Sequence, residues 1–171
     1  MNNNEKEFYL NLGILSTQFA IVEEYIRAIL AMIMNRDNLF IGLYAIENNT
    51  LEINLQLFKK INQIVGYEKD ELNRIIEKIH LIKKTRNSFI HGVWSKPEES
   101  GGEIQIYVSK SKIKFIEDEG DGSPAFYSSS QDVYTLTEIK ENIKKLKDIN
   151  NSLKPIHLNL LMLHTQTKKG D

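Results

Sequence analysis

Apolar residues recur along the N-terminal stretch at alternating steps of four and three: Phe8, Leu12, Leu15, Phe19, Val22, Ile26, Ile29 and Ile33. That spacing returns to the same side of a helix at every turn, so it predicts an α-helix over 5–34. Ile14, Ile21 and Met32 widen the stripe, as suits a helix with more than one neighbour. Asn4 followed by Glu7 reads as its capping box. Residues 35–49 read as a connection with a helical turn near 39–46. A second stripe, Leu51, Leu55, Phe58, Ile61 or Ile64, and Val65, predicts a helix over 51–65 that Gly66 stops. A third, Leu72, Ile75, Ile76, Ile79, Ile82, Phe89 and Ile90, predicts a helix over 68–90, with Gly92 as its stop signal.

After Trp94 the period changes. Pro97 to Gly102 reads as a loop. Ile104, Ile106 and Val108 then alternate with Gln105 and Tyr107, and Ile113 and Phe115 repeat the pattern. With Ser109-Lys110-Ser111 between them, these two runs predict a β-hairpin. The acidic run from Glu117 to Asp121 reads as a solvated tip, and Phe126 to Tyr134 as one more short strand. Thr135 and Glu138 have the spacing of a capping box for a last helix, whose stripe is Ile139, Ile143, Leu146, Ile149 or Asn150, and Leu153. Pro155 is expected to kink or break that helix, and the tail from Thr165 to fray. The expected fold is mainly α: a four- to five-helix up-and-down bundle in one domain over 1–171. A small β-hairpin or meander is inserted before the last helix, at about 93–134.

Composition narrows the function classes. The chain has 171 residues and no cysteine, so no disulfide framework, thiolate nucleophile or Cys-based zinc site is available. The polar N-terminus does not read as a signal peptide, and the most apolar window, 28–34, is too short to span a bilayer. A cytoplasmic protein without a membrane partner is expected. The formal net charge of −1 argues against a non-specific binder of long nucleic acid. Yet the window 78–96 holds Lys78, Lys83, Lys84, Arg86 and Lys96 and no Asp or Glu, a local positive patch.

That window also carries the candidate chemistry. RNA brings its own nucleophile, the 2′-OH beside each phosphodiester, so cleavage needs a base, an acid and a cation, with neither metal nor cofactor. His91 titrates near neutrality and suits base or acid. Arg86 stays charged and offers a planar fork to phosphate oxygens. Asn87 and Ser88 are placed to orient substrate or to hold the arginine. Lys83, Lys84 and Lys96 add attraction, and Trp94 offers a ring for stacking on a base, though its size also suits a core anchor. In an unbroken helix Arg86 and His91 point about 140° apart. They meet only if the helix loosens near Gly92 or if a second copy of the chain faces the first. Alternatively, Arg86 pairs with a carboxylate such as Glu24, and His91 only caps the helix. His157 and His164 share a helical face without a third ligand, so no metal site is expected.

The run Arg86-Asn87, then His91-Gly92, resembles the signature of the HEPN superfamily, an arginine and a histidine separated by four to six residues, with a polar residue directly after the arginine. The arginine–histidine pair Arg74 and His80 also satisfies that spacing, but Ile75 follows the arginine and the segment is mid-helix. The resemblance implies a helical bundle that dimerises and sets two motifs facing each other in a cleft. It implies a metal-independent endoribonuclease with Arg86, His91 and Asn87 as catalytic residues and RNA as partner. It further implies a role in toxin–antitoxin or phage-defence systems, with an antitoxin or a nucleotidyltransferase-like protein as further partner. The alternative within the same family is a non-catalytic dimeric scaffold that binds a nucleotide or a protein.

Overall fold

The structure, a computed structural model, describes residues 1–114 and 126–167. The described residues are mainly helical, with five helices and an antiparallel sheet before the last of them. In chain order the elements are α1 (Asn3–Met34), α2 (Leu39–Ile46), α3 (Leu51–Val65), α4 (Lys69–His91), β1 (Val93–Trp94), β2 (Glu98–Ser100), β3 (Glu103–Lys114), β4 (Phe126–Thr135) and α5 (Leu136–Thr167). The chain divides into two compact units: Met1–Leu15 with Ile82–Asn142, and Ser16–Leu81 with Ile143–Asp171.

The described elements of the second unit are all helices. Phe19, Val22, Ile26 and Ile29 from α1 are buried in it, as are Leu55 and Phe58 from α3, Leu72 to Ile79 at helical spacing from α4, and Leu146, Ile149 and Leu153 from α5. Its short helix α2 starts where the Asn38 carboxamide oxygen accepts from Phe40 N and Ile41 N at 3.0 and 3.4 Å. Helix α3 starts at Thr50, whose hydroxyl accepts from Ile53 N at 3.3 Å, and ends at Gly66 in the left-handed region with φ 71°. The inward face of α3 is Asn54, Leu55, Phe58 and Asn62. That phase turns Ile64 and Val65 outward, and Ile64 is 87% exposed, so these two do not belong to the core. Helix α5 is not broken at Pro155 but continues to Thr167. Asn151, whose carbonyl loses its helical donor to the proline ring, is exposed and can bond to water instead.

The first unit is built on the sheet. β3 is its central strand, with β4 antiparallel along one edge and β1 and β2 sharing the other. Two sequence expectations change here. The stretch Glu98–Ser100, expected in a loop, pairs with Glu103–Gln105. The expected turn at Ser109–Ser111 is instead the middle of a continuous twelve-residue strand, β3. Its polar residues pair across to Ser129–Gln131, so period-two alternation continues where a turn seemed to interrupt it. The hairpin is therefore formed by β3 and β4, and the acidic run expected as a tip lies outside the described residues. Phe8, Leu12 and Leu15 of α1, Ile82 and Phe89 of α4, Ile106 and Val108 of β3, Tyr134 of β4, and Leu136 and Ile139 of α5 are among the buried apolar side chains of this unit. Ile90, expected beside them, is 52% exposed.

Caps follow from backbone donors that need acceptors. At α5, Thr135 N donates to Glu138 Oε2 at 2.9 Å and Glu138 N to Thr135 Oγ1 at 3.1 Å, the expected reciprocal pair. At α1 the same pair forms two residues earlier than expected, between Asn2 and Glu5, at 3.0 and 2.8 Å. Glu7 instead binds Lys140 at 2.7 Å, and Asn4 donates to Glu99 at 3.3 Å.

Two glycines separate close packing from simple flexibility. A Cβ on Gly42 would lie 2.3 Å from the Ala31 carbonyl oxygen, whereas one on Gly13 would meet nothing within 4 Å. Gly42→Ala should destabilise the protein by about 1–3 kcal/mol or more. Gly13→Ala, in the middle of α1, should stabilise it by about 0.5–1 kcal/mol. Urea unfolding followed by circular dichroism measures both; equal effects of one sign would contradict the packing described.

Candidate functional site

The last turns of α4 carry the predicted residues and run as regular helix to His91, where Gly92 N donates to Ser88 O at 2.9 Å. Gly92 does not adopt the left-handed conformation of a helix stop. It is required by space: a Cβ there would stand 2.2 Å from Val108 Cγ1 and 2.5 Å from Ser88 O. The absent side chain lets β3 approach the helix end directly.

Along this helix the side chains divide. Arg86 and Asn87 are half-buried, and Arg86 Nη1 donates to Asn87 Oδ1 at 3.3 Å, so the amide helps hold the guanidinium. His91 is exposed. Because the helix stays regular, the directions of Arg86 and His91 differ by about 140° around its axis. Their proposed meeting is therefore not supplied by any loosening of the helix end. Lys84 and Lys96 are exposed and Lys83 is half-buried. Glu24, the carboxylate considered for Arg86, is exposed in the second unit.

Ser88 departs from its expected role. Its side chain is fully buried, so it is not placed to touch RNA. The hydroxyl donates to Lys84 O at 2.9 Å and accepts from Tyr134 OH at 2.6 Å. Asp132 Oδ2 lies 3.4 Å from both hydroxyl oxygens and accepts from Lys110 Nζ at 2.6 Å. Lys84 Nζ stands 4.0 Å from the other carboxylate oxygen. The Lys110 ammonium holds the Asp132 carboxyl below the usual carboxylate range; Lys84 and Ser88 act in the same direction, against the effect of burial. Burial pushes the Tyr134 hydroxyl above its ordinary value, and the Ser88 hydrogen bond opposes this.

Register explains the cluster. Ile106 faces Tyr134, Val108 faces Asp132 and Lys110 faces Ser130 across the β3–β4 pair. Alternation puts Ile106, Val108, Lys110, Asp132 and Tyr134 on one face of the sheet, with Lys110 and Asp132 as diagonal neighbours. The sequence reading missed these residues. The available signal was parity: continuing the period of Ile106 and Val108 by one step reaches a lysine, a polar group on an otherwise apolar face.

Trp94 is anchored along one edge and partly open to solvent. Its Nε1–H donates to Phe89 O at 2.9 Å and its ring stands edge-on to Phe89 at 5.5 Å, yet 38% of it remains exposed. The second arginine–histidine pair does other work: Arg74 lies 3.8 Å from Glu71, and His80 lies 3.8 Å from Glu52. His157 packs edge-on against Tyr25 at 5.4 Å, and His164 Nδ1 meets the Arg36 carbonyl oxygen. No helix among the described residues is long and apolar enough to cross a membrane.

Tyr134→Phe removes the donor to Ser88 and should cost about 0.5–1.5 kcal/mol in urea unfolding. Asp132→Asn should destabilise at neutral pH. The Asp132 pKa is depressed in the folded state, so its contribution is present above the unfolded carboxylate range and is lost as pH falls through the folded value. The stability difference between wild type and Asp132→Asn should therefore shrink on acidification; a difference independent of pH would show that the carboxylate charge contributes nothing. Comparison with protein-family models, with curated proteins and with solved structures finds no match to this chain.

Proposed function

We propose that this chain is a metal-independent endoribonuclease of the HEPN type acting on single-stranded RNA. The observation that carries this reading is the C-terminal end of α4. It presents a half-buried guanidinium steadied by Asn87 and, at its last residue, an exposed imidazole, in a window rich in lysine. In the reaction, the 2′-oxygen forms a bond to phosphorus as its proton passes to a base, and the bond to the 5′-oxygen breaks as that oxygen takes up a proton. The products are a 2′,3′-cyclic phosphate and a 5′-hydroxyl. Arg86 stabilises the charge gathering on the phosphoryl oxygens, and His91 transfers protons.

The divergence of Arg86 and His91 along one helix supports the reading that a complete site is formed by two copies of the chain. A two-fold arrangement then sets the imidazole of one copy near the guanidinium of the other and supplies two histidines, one as base and one as acid. The resemblance extends the proposal to a toxin or phage-defence effector restrained by an antitoxin or a nucleotidyltransferase-like partner. The same divergence favours a second reading, a dimeric scaffold that binds a nucleotide or a protein without turnover.

A cleavage assay on single-stranded RNA separates the two. Arg86→Ala and His91→Ala should each reduce cleavage by at least about a hundredfold while leaving Tm within a few degrees. Products should end in 2′,3′-cyclic phosphate, and EDTA should not inhibit. Mixing the two variants should restore part of the activity if each site draws on both copies. Full activity in either variant, or strong inhibition by EDTA, would overturn the mechanism; no turnover by the wild-type protein would favour the scaffold.

A further inference from the structure

A hollow in the first unit lies directly beyond the end of α4, lined by Tyr9 of α1 and by Gly92, Val93, Trp94, Ser95 and Lys96. Two aromatic residues and one lysine thus line it, and no Asp or Glu does among the described residues. Trp94 is held in place by its bond to the Phe89 carbonyl oxygen and its edge-on contact with the Phe89 ring, while remaining 38% exposed. A ring fixed in this way loses little conformational freedom when a second flat group settles on it. The Ser95 hydroxyl is already used, donating to Lys96 O at 3.0 Å and accepting from Tyr107 N at 3.1 Å.

We propose that this hollow is a subsite for one unpaired nucleobase, with Tyr9 and Trp94 supplying the faces for stacking and Lys96 the charge for the adjoining phosphate. Every base has a π-face, so a subsite that relies on stacking takes any of them and tolerates sequence. The inference rests on the ribonuclease reading in one respect: Gly92 joins the lining directly to His91, so the bound base is the one flanking the phosphodiester to be cleaved.

Trp94 is the single tryptophan of the chain, so intrinsic tryptophan emission reports on this hollow. The full-length protein is titrated with a short 2′-O-methyl oligoribonucleotide, which lacks the attacking hydroxyl, and with an abasic oligonucleotide of the same charge. Saturable quenching by the first and none by the second is the expected result. Tyr9→Leu should weaken the apparent affinity about tenfold. Lys96→Ala should weaken it several-fold and flatten its dependence on salt. Unchanged emission, or equal quenching by the abasic chain, overturns the subsite. The two readings fail separately: base-dependent quenching without RNA turnover keeps the subsite and removes the nuclease. RNA turnover with wild-type KM in Tyr9→Leu and Lys96→Ala keeps the nuclease and removes the subsite.

Discussion

The buried hydroxyl of Ser88 joins three elements of the first unit at one point. It bonds back to its own helix through Lys84 O and receives the Tyr134 hydroxyl of β4, with Asp132 and Lys110 of the sheet close behind. The Ser88 and Tyr134 hydroxyls could not be buried cheaply alone: an unpaired hydroxyl there would lose its water without recompense. Joined together they are mutually satisfied, and a network of this kind has one good arrangement rather than many. It fixes both the distance and the rotation of the last turns of α4 relative to β3 and β4.

Gly92 supports the same contact from the other side. Apolar packing alone would let a helix slide over a sheet, because a stripe of Ile and Phe fits several offsets. The close approach of Val108 to Gly92 and the Tyr134–Ser88 bond together admit one offset. The rotation of Arg86, Asn87 and His91 follows from it, since all three stand on the same regular helix. What faces outward is then a consequence of what must face inward: Ser88 and Phe89 are buried, so Ile90 and His91 are exposed.

The electrostatics of this end of the helix are divided in the same way. Asp132 lies within reach of both Lys110 and Lys84, so one carboxylate serves two cations and a net positive charge remains. In the proposed reading, that charge and the exposed part of Trp94 would serve a flexible anionic chain carrying flat bases. That match connects the proposed chemistry at Arg86 and His91 with the proposed stacking at Tyr9 and Trp94.

Much of the architecture was legible before any coordinates. Helical stripes, the Thr135–Glu138 cap, the Gly66 stop and the change of period after Trp94 are local patterns, and each depends only on residues a few positions apart. The residues of the candidate site were legible as a local run. What could not be read there was which of them faces solvent. Ser88 sits inside because a tyrosine 46 positions away donates to it. Gly92 is a glycine because β3 passes against it, not because the helix must turn. Ser109–Ser111 looked like a turn because its residues are polar, and it is strand because β4 supplies partners along its length. Sequence periodicity determined which elements form, since that is a matter of neighbouring side chains on one chain direction. Tertiary structure alone decided the rotation of α4 and the pairing of β3, since both depend on groups that come together only when distant segments fold.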